Sequence, residues 1–170
     1  DNINIPLTFL GGCGSIKACL PKPLANSLWT VVPEIVLSNT LTTSFDGSAL
    51  LETSLSKIDF DRIDAFLIGP GLGIGDEDWL TAAKSIEEFP GLLVVDADAL
   101  NRISTSSEKW RWLLKRKGKT WITPHFSEFK RLFPELSEIL PIDAAREAAK
   151  LSGASVLLKG AHSIVADPSG

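Results

Sequence analysis

Four short segments carry residue types from which a ligand site could be built, and each follows or ends an apolar run. They are Ile68 to Gly73 (Ile-Gly-Pro-Gly-Leu-Gly), Val94 to Asn101 (Val-Val-Asp-Ala-Asp-Ala-Leu-Asn), Thr123 to Glu128 (Thr-Pro-His-Phe-Ser-Glu) and Leu158 to Ala161 (Leu-Lys-Gly-Ala). The glycines of Gly69-Pro70-Gly71-Leu72-Gly73 let backbone approach a ligand closely and turn amide donors toward an anion or amide. A tight turn that only needs positive φ is the structural alternative. The segment is not a dinucleotide fingerprint, because the third glycine at the required offset is missing and Pro70 removes a donor.

Asp96 and Asp98 end the most apolar run, where an unpaired carboxylate is costly. Strand alternation gives them a common direction, with Asp96 the partly buried, structural member. They serve either a ligand or metal-bound water, with Asn101 capping or orienting the turn, or a strand-to-helix turn held by Asx bonds. His125 follows Thr123-Pro124 at a helix start. A histidine there tends to stay neutral and can contact a ligand amide or phosphate, while Glu128 satisfies first-turn donors like the acidic half of a capping box. A lone histidine is usually structural, and His125 gains interest from the three other segments. Lys159, beside Gly160 and Ala161 and followed by His162 and Ser163, offers a flexible point charge next to backbone amides, suited to a nucleotide phosphate. An exposed hairpin lysine is the plain alternative.

These segments converge only if the runs before them are parallel strands, since open parallel sheets bind ligands beyond the carboxyl ends of their strands. The pattern predicts short strands over Ile5 to Leu10 and Ser15 to Leu20, then a short helix over Pro21 to Leu28. A helix over Asp46 to Lys57 follows, with Asp46 as N-cap and Leu50, Leu51, Leu55 and Ile58 at helical spacing. Ala65 to Ile68 reads as a buried strand. Asp76, Glu77 and Asp78 read as the acidic first turn of a helix running to about Glu88. Leu92 to Val95 reads as a strand covered on both faces.

Thr105 to Lys117 reads as helical, with Trp110, Leu113 and Leu114 on one face. Trp121 to Thr123 is the next strand, a helix through Phe129 and Leu132 follows, and Pro141 to Leu151 is a helix with proline at its start. Val156 to Leu158 and Ser163 to Ala166 form a hairpin pair. Strands alternating with helices predict an α/β domain, a three-layer α/β/α sandwich with a mostly parallel sheet, spanning residues 1–170 as one unit.

Composition narrows the partners. The chain has 170 residues, 44% hydrophobic and 22% charged, which is ordinary for a soluble globular domain. A net charge of −4 disfavours a general nucleic-acid binder. The one basic run, Lys115-Arg116-Lys117-Gly118-Lys119, reads as a solvated helix end in preference to a phosphate site. Cys13 and Cys19 lack CxxC spacing and an adjacent histidine, so neither a metal site nor a disulfide scaffold is indicated, and a reducing cytoplasm fits. The apolar stretches fall well short of a membrane span.

Taken in order, Gly69-Pro70-Gly71-Leu72-Gly73, Asp96-Ala97-Asp98-Ala99-Leu100-Asn101, Thr123-Pro124-His125 with Glu128, and Lys159-Gly160-Ala161 resemble the NAD(P)H-hydrate dehydratase family, of ribokinase-like fold. The resemblance covers about Cys13 to Gly170, including Pro21 and Pro33-Glu34. It implies repair of hydrated NADH or NADPH by nucleotide-driven removal of water, with release of AMP and phosphate. In that family a phosphoryl group activates the ring hydroxyl as a leaving group.

By motif position, Gly71, Gly73, Asp96, Asn101 and His125 would bind the hydrated cofactor, and Lys159, Gly160, Ala161, His162 and Ser163 the nucleotide phosphates. The Thr-Pro-His form resembles the bacterial and archaeal members and implies ADP, with ATP as the alternative, and Mg²⁺ as a companion of phosphoryl transfer. The family's loop at Lys159 usually continues with a small residue and Thr, where this chain has His162 and Ser163. The family's Gly-Thr-Gly-Asp segment, whose Asp would be the catalytic base, is expected beyond Gly170. A second segment is expected to be missing between Gly12 and Cys13. A homo-oligomer, and an NAD(P)HX epimerase fused or acting alongside, are further expectations. The alternatives are a small-molecule kinase of the same fold, such as one acting on a vitamin precursor, and a non-catalytic nucleotide-binding module.

Overall fold

The computed structural model describes residues 13–170. The strand expected over Ile5 to Leu10 and the break expected at Gly12–Cys13 lie outside the described residues. The chain divides into two compact units, Asp1–Ile58 and Asp59–Gly170.

In the first unit, strand β1 (Lys17–Pro21) runs parallel to β2 (Val36–Leu41), with a register shift between Ala18 and Cys19. Two short helices separate them, α1 (Lys22–Ala25) and α2 (Leu28–Val31), where one helix was expected over Pro21 to Leu28. Strand β2 was not expected. Its burial alternates exposed and intermediate, so it lacks the apolar run that marks a covered strand. Helix α3 (Leu51–Leu55) starts later than the pattern predicted, with Leu50 at the N-cap. Asp46 instead closes a turn: its carboxylate accepts from the Ser48 amide at 3.2 Å, the Ser48 hydroxyl at 2.9 Å and the Ser44 hydroxyl. The local side-chain bonds of Asp and Ser have here outcompeted helix.

The second unit holds a five-stranded sheet in sequence order: β3 (Ala65–Ile68), β4 (Leu92–Val95), β5 (Thr120–Ile122), β6 (Ser155–Leu158) and β7 (Ile164–Ala166). The first four are parallel and β7 is antiparallel to β6, as the hairpin reading expected. The register aligns Ile68, Val95, Ile122 and Val156 across the sheet. These four side chains share one face, and each is at most 4% exposed. The other face is less covered. Leu67 is 57% exposed and Leu92 and Val94 are intermediate, so β4 is not sealed on both sides as its sequence suggested.

The helices follow the strands. After β3 come α4 (Trp79–Ala82) and α5 (Lys84–Glu88), two short helices in place of the single one expected. Of the three acidic residues, Asp78 is the N-cap, accepting from the Thr81 amide at 3.2 Å, and Asp76 and Glu77 precede the helix. After β4 comes α6 (Ala97–Thr105), which was not expected as a helix. A 3-10 helix (Lys109–Lys115) follows where an α-helix was expected; Trp110 and Leu113 are buried, but Leu114 is 58% exposed and off their face. Helix α7 (Phe126–Leu132) follows β5, and α8 (Pro141–Ser152), with proline in its first turn and Gly153 in the left-handed C-cap, precedes β6.

The basic run is not simply solvated. Arg116 is half-buried, donating to the Phe89 carbonyl at 2.8 Å, the Gly91 carbonyl at 3.2 Å and the Ile86 carbonyl, and so ties down the chain leaving α5. Burial lowers its pKa, yet a guanidinium stays charged in proteins.

Candidate functional site

Because β3 to β6 are parallel and in register, the four chemistry-bearing segments leave the same edge of the sheet. Backbone bonds stitch their starts together. The Asp96 amide donates to the Ile68 carbonyl at 3.0 Å, the Thr123 amide to Val95 at 3.1 Å, and the Lys159 amide to Pro124 at 2.8 Å. His125 and Lys159 form a parallel bridge just past the strands proper.

The glycine loop after β3 alternates: Gly69, Gly71, Gly73 and Gly75 all have positive φ, of 138°, 73°, 70° and 59°. Gly69 is fixed for a second reason. A Cβ there would stand 1.7 Å from the carbonyl oxygen of Asp96, so β3 and β4 can approach at their ends only if residue 69 has no side chain. Gly71 is exposed, and a Cβ there would meet nothing within 4 Å. Gly73 is tied at both backbone groups, its amide donating to Asp98 Oδ2 at 2.9 Å and its carbonyl accepting from Arg102 Nε at 2.8 Å.

Asp96 is the N-cap residue of α6 in extended conformation, and Asp98 lies in the first helical turn. The two therefore do not alternate on a strand, and the common direction expected of them is corrected. Asp96 Oδ1 accepts from Lys159 Nζ at 2.7 Å, whereas Asp98 reaches back to the glycine loop. Ala97, between them, is held at φ 47°, a conformation non-glycine residues rarely adopt. Asn101, on the same helix, accepts through Oδ1 from Arg131 of α7, which joins the helices after β4 and β5.

His125 is the N-cap of α7. Its Nδ1 accepts from the amides of Ser127 at 3.1 Å and Glu128 at 3.4 Å, and Glu128 Oε2 accepts from the His125 amide at 2.8 Å, completing a capping box. With Nδ1 an acceptor, the ring presents its other nitrogen, Nε2, 3.3 Å from Glu128 Oε1. The His125 side chain is half exposed while Glu128 is buried, so the carboxylate orients a ring that faces out.

Beyond Lys159, Gly160, Ala161, His162 and Ser163 are all exposed. A groove of about 440 Å³ opens beside them. Ala161 and His162 from this loop, together with Phe126, Leu140 and Ile142, form walls that are almost entirely apolar, and Lys159 also lines it. Phe126, Leu140 and Ile142 are each at least 45% exposed, and their gathering around one groove gives it the character of a ligand groove. Ser163 does not line it.

The residues that the sequence reading missed are Arg102 and the groove wall on α7 and α8. Arg102 was findable. Once the helix is started at Asp96, Asp98 and Arg102 stand four apart on one face.

The sequence profile of the NAD(P)H-hydrate dehydratase family matches residues 8–170. A bifunctional NAD(P)H-hydrate repair enzyme from Gloeobacter violaceus is 38% identical over 160 residues, covering 94% of this chain and 30% of that protein. One from Synechocystis sp. is 33% identical over 168 residues, covering 96% and 30%. The chain thus spans less than a third of the length of these curated relatives. Among solved structures, an ADP/ATP-dependent NAD(P)H-hydrate dehydratase from Bacillus subtilis, co-crystallised with ATP and Mg²⁺, superposes with a TM-score of 0.64 at 23% identity over 92% of this chain and 51% of that one. A ribokinase-like superfamily protein from Enterococcus faecalis gives 0.62 at 20% over 92% and 51%. The fold is therefore ribokinase-like, as the resemblance carried by the four motifs implied, and the chain belongs to the NAD(P)H-hydrate dehydratase family.

Proposed function

We propose that this chain binds hydrated NADH or NADPH together with an adenine nucleotide, ADP ahead of ATP, and serves the dehydration that restores the reduced cofactor. The observation that carries the reading is the Lys159–Asp96 contact of 2.7 Å at the shared edge of four parallel strands, with the glycine loop on one side and the apolar groove on the other. Lys159 offers an ammonium to phosphate, Gly160 to Ser163 offer an exposed backbone beside it, and the groove offers apolar walls to a base. Gly71, Gly73, Asp96, Asn101 and the half-exposed ring of His125 are assigned to the hydrated cofactor.

Transfer of the terminal phosphoryl group of ADP to the ring hydroxyl leaves AMP. The ring C–O bond then breaks with its electron pair going to phosphate, a proton leaves the neighbouring ring carbon, and the double bond re-forms. The lost oxygen departs in the phosphate, so AMP, phosphate and reduced cofactor balance ADP and hydrated cofactor. The protein's part is positioning and electrostatic stabilisation of the transferring group. Among the described residues no group of three or more His, Cys, Asp or Glu could hold a metal ion. Mg²⁺ binds through one or two carboxylates plus phosphates and water, so the residues fit an ion carried in on the nucleotide, where it would neutralise phosphate charge.

The reading treats both units as parts of one ribokinase-like domain. It extends to a homo-oligomer, to cooperation with an epimerase, in keeping with the bifunctional naming of the relatives, and to a reducing cytoplasm, where free Cys13 and Cys19 are stable. No helix among the described residues is long and apolar enough to cross a membrane. Incubation with hydrated NADH and ADP tests the reading. Recovery of reduced-nicotinamide absorbance with matching AMP and phosphate supports it. Phosphorylation that stops at a stable ester indicates a kinase, and ADP binding without turnover indicates a binding module.

A further inference from the structure

Arg102 is 3% exposed, and the loop from Leu72 to Glu77 is wrapped around its guanidinium. Nε donates to the Gly73 carbonyl at 2.8 Å and Nη2 to the Leu72 carbonyl at 3.0 Å, while Glu77 Oε2 lies 3.6 Å from Nη1. Gly75 is moulded to the same group, since a Cβ there would stand 2.7 Å from Nη2. One turn earlier on α6, Asp98 accepts the Gly73 amide at 2.9 Å. Helix α6 thus grips both polar backbone groups of one glycine, from two side chains on one face.

Four positive-φ glycines in seven residues give a segment much backbone freedom to lose on ordering. Left free, it would have to be ordered by its ligand at the expense of affinity. A buried arginine is itself costly unless its donors and charge are met; here the loop's carbonyls take Nε and Nη2, and the Glu77 carboxylate stands opposite the charge, 3.6 Å from Nη1. The loop and the arginine therefore each require the other.

We propose that Asp98 and Arg102 are positioning residues: they hold the glycine loop in its ligand-ready shape, so that affinity for the hydrated nicotinamide depends on them although neither is assigned a contact with it. This rests on the reading of the loop as part of the hydrated-cofactor subsite. It separates the two ligands, because the nucleotide subsite is built on the Lys159 loop, whereas Asp98 and Arg102 bond the glycine loop.

The test uses Asp98→Ala and Arg102→Lys, titrated with hydrated NADH and with ADP, alongside hydrogen exchange of the Gly73 amide. The expected result is a Kd for hydrated NADH raised about tenfold, the scale of one lost charge-assisted bond, with the Kd for ADP within about twofold. Gly73 exchange should accelerate in Asp98→Ala. An unfolded variant would lose both ligands together, so retained ADP binding certifies the fold. Asp98→Ala with unchanged hydrated-NADH affinity overturns the clamp. If the unsubstituted protein binds no hydrated NADH, the functional reading falls by itself. The exchange measurement then decides the clamp, which is refuted by a Gly73 amide exchanging equally fast with and without Asp98.

Discussion

Lys159 Nζ and Asp96 Oδ1 meet at 2.7 Å although 63 residues separate them in sequence, and each stands at the end of its own parallel strand. Between β4 and β6 lies only β5, so the pair spans the middle of the sheet edge where the assigned subsites adjoin. The lysine side chain is 40% exposed and the aspartate 27%, which leaves the ammonium reachable by an incoming phosphate.

Such a half-exposed pair is weakly stabilising, because solvent screens it. A double-mutant cycle with Lys159→Ala and Asp96→Ala should give a coupling of no more than about 1 kcal/mol in thermal or urea unfolding. Nucleotide binding should respond more strongly. Lys159→Ala is expected to weaken ADP about tenfold or more and hydrated NADH much less, consistent with loss of one charge-assisted phosphate contact. Equal affinity for ADP in the variant would remove Lys159 from the phosphate site.

Gly69 and Gly71 separate close approach from backbone freedom. Gly69→Ala places a methyl 1.7 Å from the Asp96 carbonyl and must force β3 and β4 apart. A loss of at least about 3 kcal/mol, or failure to fold, is expected. Gly71→Ala meets no atom within 4 Å and carries only the left-handed backbone penalty, about 1–2 kcal/mol. Urea unfolding of the two variants measures the difference.

His125 has two separable jobs. As N-cap it accepts two amides through Nδ1, and as a proposed ligand contact it offers Nε2. His125→Ala should lose about 1 kcal/mol of stability, the ordinary value of a cap. His125→Asn keeps an acceptor at the cap and should restore most of that. Both variants should bind hydrated NADH more weakly. Full binding in the asparagine variant would show that the histidine serves α7 alone.

Asp167 gives an acid-range prediction away from the site. The Ser169 hydroxyl, at 2.6 Å, and the Ser169 amide, at 3.0 Å, hold its carboxyl below the usual carboxylate range, and the Ser155 hydroxyl adds a bond at 2.9 Å. A lowered folded pKa means that the contribution to stability is fully present above the unfolded value, about 4, and is lost as pH falls through the folded one. The stability gap between the natural chain and Asp167→Asn should therefore be constant near neutrality and close below about pH 4. A gap that widened on acidification would contradict the assigned bonds.

Strands β3 to β6 were legible in the sequence because each is an apolar run ended by glycine, aspartate, proline or lysine, and the run-then-polar rhythm is what a parallel sheet imposes. The convergence of four loops followed from that alone. Strand β2 was not legible, since Val-Leu-Ser-Asn-Thr-Leu lies largely open and its partner comes before it across two helices. The start of α6 was misread because Asp-Ala-Asp-Ala alternates like a strand, whereas Asp96 stands at the N-cap position and Ala97 takes a positive φ that periodicity does not encode. Arg116 read as part of a solvated helix end, and Arg102 was not singled out. Each is partnered to carbonyls some thirty residues away, a relationship set by packing.

The proposed removal of water from hydrated NADH or NADPH at the expense of a nucleotide is tested by stoichiometric turnover of purified hydrated NADH with ADP and Mg²⁺. The account predicts recovery of reduced NADH with one AMP and one phosphate formed for each molecule restored, and loss of that recovery in Lys159→Ala. NADH recovery that is equally fast without nucleotide, or ADP consumed with no NADH regained, would contradict it.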